Sequence, residues 1–257
     1  MTRCVTTIVT LLLLLASGCA SSRDQAAGVA WQNSTIDALL DGNYDGDVTF
    51  DELRKHGDFG LGTFDALDGE MLAVGGAFYQ VRSNGNVHRV DPKQLTPFSV
   101  MTFFRGDKRS AISGPLSYAD LQQALGPMRE HAGRAYAIRI RGTFDAVRTR
   151  SVPRQDKPYR PLADVVKTQP TFDLRDVRGT LVGFWFPESM RHLNVPGYHF
   201  HFITDDATAG GHVLDLTLRD GVAEVQELTA VHVELPQHAP ATRPTTGRAG
   251  ELEAVEK

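Results

Sequence analysis

Cysteine is nearly absent from this 257-residue chain, and its two copies, Cys4 and Cys19, both lie within the first 19 residues. The rest of the chain has no thiol that could form a disulfide or bind a metal as a thiolate. Any metal held by the body of the protein must therefore use histidine, aspartate or glutamate side chains.

An excess of positive charge is also lacking, because 27 lysines and arginines are outnumbered by 31 aspartates and glutamates. A phosphate backbone requires a basic surface, so we do not expect a nucleic-acid partner. The 41% apolar and 23% charged residues match ordinary globular usage, which excludes wholesale disorder and a fibrous repeat. The length allows one large domain or two small ones.

The N-terminal apolar run at 8–16 is too short to cross a bilayer, which takes about 20 residues. It follows Arg3 and precedes Ser17, Gly18 and Cys19, an order typical of an export signal with a bacterial lipobox. We therefore predict a signal peptide over 1–18 and a lipidated tether over 19–34, with Cys19 as the lipid anchor and the only membrane contact. The protein would be an envelope lipoprotein or, if Cys19 is incidental, a secreted protein.

Strand patterns dominate the remaining region, 35–257. Runs at 70–74 and 77–81 flank a Gly-Gly pair, and Asn84-Gly85 marks a second tight hairpin. Helices are few, with a short capped helix at 34–40 and a second at 117–125 that begins after Ser117. The sequence therefore predicts an α+β fold with mixed or antiparallel sheets and two closely packed subdomains. A weakly marked subdivision falls near 150–165.

Three histidines form the most informative pattern in the sequence. His199 and His201 are two residues apart in a strand-like run, so their side chains share one face, opposite Phe200 and Phe202. Turn residues follow, and an antiparallel return strand would place His212 across from the pair. Three imidazoles suit Zn²⁺ and leave one coordination position open for chemistry. The alternative is a row of surface histidines on an amphipathic strand.

A second metal-like pattern lies at 41–52, where the spacing of acidic residues and glycine satisfies the EF-hand loop. Its flanking helices are too short and no second loop exists to pair with it, so a turn-rich loop leading into a strand is the preferred interpretation. Calcium binding stays as the alternative.

From about residue 39 to its C-terminus, the sequence resembles the α-acetolactate decarboxylase family. The resemblance rests on several specific motifs. They are GDFGLGTF at 57–64, LDGE at 67–70, TRSV at 149–152, QDKPY at 155–159, GYHFHFI at 197–203 and GGHV at 210–213. The family converts 2-acetolactate to (R)-acetoin and CO₂ with one zinc ion, and its members commonly form homodimers. The resemblance implies the same activity, cofactor and partner here.

The resemblance also implies roles for individual residues. His199, His201 and His212 would bind the metal, while Glu70 and Arg150 match the active-site carboxylate and guanidinium. The other expected site residues are Thr63, near the substrate, and a glutamate of the C-terminal tail, for which Glu256 is preferred and Glu253 remains the alternative. Which glutamate donates a proton stays open.

Each of these roles has a structural alternative. Glu70 could simply open a strand at the surface, and Arg150 could pair with Asp145 or Asp156, with Arg148 as a nearby competitor. Two other functions also remain open: a zinc hydrolase on the same scaffold, and an exported non-catalytic lipoprotein that binds a metal or another ligand.

Overall fold

The computed structural model describes residues 28–237 and 249–256 of the chain. The predicted signal peptide at 1–18 and the lipid anchor on Cys19 lie outside the described residues. The tether prediction was wrong for its last part, because Val29–Asn33 forms a strand inside a sheet. These five residues are mostly buried and pair on both edges, so they belong to the folded body.

Within the described residues the chain forms fourteen strands and five α-helices. The strands are β1 (Val29–Asn33), β2 (Val48–Thr49), β3 (Phe59–Thr63), β4 (Glu70–Val74), β5 (Ala77–Val81), β6 (Val87–Arg89), β7 (Leu95–Thr96), β8 (Ser99–Thr102), β9 (Lys108–Ser117), β10 (Ala135–Arg150), β11 (Thr171–Phe186), β12 (Gly197–Thr204), β13 (Gly210–Leu228) and β14 (Ala230–Glu234). The helices are α1 (Ile36–Leu40), α2 (Phe50–Leu53), α3 (Tyr118–Leu125), α4 (Leu162–Val165) and α5 (Ala249–Glu256). The predicted α+β, strand-rich fold is confirmed.

The first large sheet has seven strands in the order β14-β1-β8-β3-β4-β5-β6. Strands β1 and β14 are parallel and the other neighbours are antiparallel, so the sheet is mixed. The predicted β4–β5 hairpin is confirmed. Gly75 and Gly76 both have positive φ, 59° and 77°, a conformation that a two-residue turn requires and glycine adopts without strain.

The second large sheet has five antiparallel strands in the order β10-β11-β12-β13-β9. Strand β13 also pairs with β10, which closes the sheet on itself. Its interior is filled by apolar side chains such as Tyr136, Phe144, Phe200 and Phe202. Helix α3 packs against this core through Leu121 and Leu125 and begins, as predicted, after Ser117, whose hydroxyl accepts a hydrogen bond from the Asp120 amide at 3.2 Å.

The two sheets pack face to face through a shared apolar layer that includes Leu61 and Leu72 from the first and Val182 and Phe184 from the second. The chain passes from the seven-stranded to the five-stranded sheet at 103–107, between β8 and β9, and returns between β13 and β14. The subdivision suggested near 150–165 coincides with neither crossing, because β10 and β11, which flank it, both belong to the five-stranded sheet. Among the described residues no helix is long and apolar enough to cross a membrane.

Candidate metal centre and active site

The three histidines occupy neighbouring positions on the β12–β13 hairpin. His201 lies directly opposite His212 in the antiparallel register, and His199 lies two residues along β12 on the same face. All three rings are buried, and their candidate ligand atoms lie within 4.8 Å of one another. Phe200 and Phe202 point to the opposite face, into the core of the five-stranded sheet. The predicted convergence of the rings is therefore present, and the surface-histidine alternative is wrong.

Strand β4 of the other sheet fixes the orientation of His201. Its Nδ1 lies 2.7 Å from the carbonyl oxygen of Met71. A carbonyl only accepts, so this nitrogen carries the ring proton and Nε2 keeps its lone pair for the pocket. Hydrogen bonds of this kind from the second ring nitrogen are typical of metal-binding histidines.

The rings of His199 and His212 contact each other through one nitrogen atom of each ring. Nε2 of His199 lies 3.1 Å from Nδ1 of His212, while Nδ1 of His199 is buried with no hydrogen-bond partner among the described residues. Burial, reinforced by the charge of Arg150, lowers the pKa of His199 to about 3. Burial also holds the pKa values of His201 and His212 well below the usual range. The rings are neutral near pH 7, the form that binds a metal.

Arg150, the last residue of β10, forms a buried ion pair with Glu70, the first residue of β4. Nη1 of Arg150 lies 2.9 Å from Oε1 of Glu70, and the other carboxylate oxygen lies 3.5 Å from Nε2 of His201. Glu70 is therefore not a surface residue, and Arg150 does not pair with Asp145, which binds Arg219 instead.

Arg148 lies two residues before Arg150 and therefore on the same face of β10, but it is exposed. It lines a separate surface pocket with Lys167 and Asp215. Arg148 therefore lies away from the histidines and does not replace Arg150 in the site.

Helix α5 brings the C-terminal glutamate to the histidines. Oε2 of Glu256 lies 3.7 Å from Nε2 of His212, and the carbonyl of Val255 accepts a hydrogen bond of 3.1 Å from Nη2 of Arg150. Glu253 is exposed and lines a neighbouring surface pocket. The position of the helix thus distinguishes between the two tail candidates and favours Glu256.

Thr63 completes the polar set at the end of β3. Its hydroxyl is buried and donates a hydrogen bond of 2.7 Å to the carbonyl of Gly69, next to Glu70. This bond ties β3 to the turn that presents Glu70, and it leaves the lone pairs of the hydroxyl oxygen as acceptors toward the pocket.

All seven side chains that the sequence assigns to the site line one pocket. They are Thr63, Glu70, Arg150, His199, His201, His212 and Glu256. The cavity that they line has a volume of about 40 Å³.

The rest of the pocket wall is apolar and was not foreseen from the sequence. It comes from α1, α4, α5 and adjoining loops, and its side chains are Ile36, Leu39, Leu67, Phe98, Val152, Leu162 and Val255. The helical spacing of Ile36 and Leu39 in the predicted capped helix was the available signal, but it did not show what that face would cover.

Burial dominates the electrostatics of the two carboxyl groups. It raises the pKa of Glu70, against the opposing charge of Arg150. It also raises the pKa of Glu256 to about 7, again opposed by Arg150, although 19% of the Glu256 side chain stays exposed. A divalent cation among the rings would lower both values by favouring the charged carboxylates.

The EF-hand-like segment does not form a second metal site in the described part of the chain. Asp45 binds Lys157 at 2.6 Å and the Tyr159 hydroxyl at 3.0 Å, and Glu52 binds Lys55 on the surface. Among residues 28–237 and 249–256, the histidine triad is the group of donors close enough to share an ion.

Residues 30–242 match the model of the α-acetolactate decarboxylase family. The chain belongs to the α-acetolactate decarboxylase family. It is 46% identical over 207 residues to the α-acetolactate decarboxylase of Methylococcus capsulatus, covering 80% of each chain. It is also 43% identical to that of Methanosarcina mazei, covering 91% of this chain and 82% of the relative.

The fold agrees with this assignment. The crystal structure of α-acetolactate decarboxylase from Bacillus subtilis strain 168 superposes with a TM-score of 0.87 at 39% identity. The superposition covers 89% of this chain and 99% of that one. The family resemblance inferred from the sequence motifs is confirmed.

Proposed function

We propose that this chain is an acetolactate decarboxylase, a carbon–carbon lyase that converts (S)-2-acetolactate to (R)-acetoin and CO₂ with Zn²⁺ as its metal. The observation that carries the proposal is the meeting of three buried imidazoles with the Glu70–Arg150 pair in one small pocket. Family membership supports the same activity.

The residues present fit a zinc ion. Three imidazoles suit a borderline divalent cation and leave a position free for a substrate. The buried, partnerless Nδ1 of His199 and the contact of His201 with the Met71 carbonyl are features expected of ligand rings and their supporting shell. When bound, zinc supplies a Lewis acid that polarises the substrate ketone.

Arg150 would bind the anionic substrate. Its planar guanidinium can hold the carboxylate, or the charge that moves onto the ketone oxygen when the bond to CO₂ breaks. Nη1 of Arg150 pairs with Glu70, whereas Nε of Arg150 is buried without a partner among the described residues. The ion pair therefore orients the guanidinium and leaves hydrogen-bonding capacity for the ligand.

Loss of CO₂ leaves an enediolate, and one proton delivered to one face of its former carboxylate-bearing carbon gives a single enantiomer of acetoin. Glu70 and Glu256 are the two carboxyl groups of the pocket and the candidates for this step. Glu70→Gln and Glu256→Gln separate them, because the variant that lacks the donor should form acetoin of lower enantiomeric purity.

The decisive experiment is a metal analysis of the purified protein, combined with an acetoin assay on racemic 2-acetolactate. We expect about one zinc per chain, acetoin formation, loss of turnover after chelation, and its recovery on adding zinc. A metal-free protein with full turnover would rule out the zinc mechanism. A zinc-loaded protein that forms no acetoin would instead favour a hydrolase or a binding protein.

The location and partners of the protein are a separate part of the proposal. The N-terminal sequence supports export and lipidation of Cys19, and the family supports a homodimer. Metabolic labelling with palmitate tests the first, since Cys19→Ser should lose the label. Light scattering on the purified protein tests the second, because a mass of one chain would contradict a dimer.

A further inference from the structure

Helix α5 has one buried side, which carries the C-terminal glutamate. Leu252, Val255 and Glu256 lie three and four residues apart and therefore on the same side of the helix. Leu252 and Val255 keep only 4% and 2% exposure, whereas Glu251 and Glu253 are exposed. The buried side thus has two apolar side chains next to the carboxylate.

These two side chains join an apolar cluster beside the metal centre. The cluster includes Ile36 and Leu39 from α1, and Leu162 from α4. Helix α5 packs directly against α4. In addition, the hydrogen bond from Arg150 to the Val255 carbonyl ties the last turn to β10.

The position of α5 must come from these contacts, because a helix of eight residues is not stable by itself in water. Val255 also lines the catalytic pocket, so its substitution would alter both the anchor and the pocket wall. Leu252 is not among the described residues that line the catalytic pocket; it lines the neighbouring surface pocket instead. A substitution of Leu252 can therefore disturb the anchoring of the helix without changing a side chain that lines the catalytic pocket.

We propose that Leu252 is a positioning residue, which holds Glu256 against His212 by anchoring the last helix to the apolar cluster beside the metal centre. This inference rests on the proposed function for its effect on turnover. The placement of the helix itself is a structural claim that can be measured without substrate.

The test uses Leu252→Ala in the full chain, with Glu251→Ala as the matched control on the exposed side of the same helix. A displaced carboxylate should lower kcat roughly tenfold to a hundredfold, with zinc content unchanged, since the three histidines are untouched. Leu252→Met should recover most of the turnover because it refills the same volume. The control should behave like the unaltered protein.

A double variant shows whether Leu252 acts through Glu256. If it does, Leu252→Ala combined with Glu256→Gln should be no slower than Glu256→Gln alone. Losses that multiply would overturn the proposal, as would unchanged kcat in Leu252→Ala.

Hydrogen exchange provides the readout that does not depend on activity. Amides in 249–256 should exchange faster in Leu252→Ala than in the unaltered protein or the Glu251→Ala control. Equal exchange rates would overturn the anchoring role even if acetoin is formed. Faster exchange in Leu252→Ala, together with an unaltered protein that forms no acetoin, would support the anchor while rejecting the proposed function.

Discussion

The two walls of the pocket are built differently. One wall consists of strand residues with polar or charged side chains, and the other consists mainly of short helices and loops with apolar side chains. On the strand wall, His201 and His212 are fixed by cross-strand register, and Glu70 and Arg150 sit at strand ends. On the helix wall, α1, α4 and α5 have five, four and eight residues.

This difference separates the candidate metal ligands and the ion pair from most of the side chains that set the size of the pocket. Backbone hydrogen bonds between strands hold the polar groups in a fixed relation, which a metal site and an ion pair require. The short helices are held mainly by side-chain packing, so single substitutions there should change volume or position without dismantling the metal centre.

The largest effect should come from the strand wall, on replacing His201 with alanine. Loss of one of the three ligands should remove the metal. Because the metal is expected to lower the activation free energy by several kcal/mol, kcat should fall by at least about a thousandfold. Metal analysis and the acetoin assay should show both losses together. A variant that binds no metal yet turns over normally would contradict the assignment of the triad.

Arg150→Ala should have the next largest effect. It leaves the buried Glu70 carboxylate without its partner, so we expect the free energy of unfolding to fall by about 3 kcal/mol. Arg148→Ala is the matched control, because this arginine lies on the same strand face but is exposed, and its effect should stay within about 0.5 kcal/mol. Urea unfolding measures both, and equal losses would show that burial of the ion pair is unimportant.

The same contrast explains how much could be predicted from the sequence. The histidine convergence followed from the two-residue period of a strand and one hairpin, both of which are local patterns. Glu70 and Arg150 are 80 residues apart, and no local pattern pairs them; they came from the family resemblance. The helix wall was missed because the apolar face of α1 looks the same whether it covers a core or a pocket.

Local sequence patterns also could not predict the sheet neighbours of two segments of the chain. Val29–Asn33 lies in the sheet between β8, to which it is antiparallel, and β14, to which it is parallel and which follows some 200 residues later. Similarly, closure of the five-stranded sheet depends on β13 pairing with β10, a long-range contact that alternation along either strand does not reveal. Local periodicity identifies the faces of a strand but not its neighbours.

The smallest effect should come from the helix wall, on replacing Leu162, which lines the pocket. Leu162→Ala should keep the metal and still convert acetolactate, but it enlarges the space next to the substrate's alkyl groups. One methylene in an apolar pocket is worth about 1–3 kcal/mol. The ratio of kcat/KM for the ethyl homologue of the substrate to that for acetolactate should therefore rise by about tenfold.

Val165→Ala provides the control for this prediction. Val165 is buried in the same helix and the same apolar cluster, but it is not among the described residues that line the pocket. It should lose comparable packing without changing the substrate ratio. If both variants shift the ratio equally, then the helix wall acts through general loosening and not through the shape of the pocket, and the division between a chemical wall and a size-selecting wall fails.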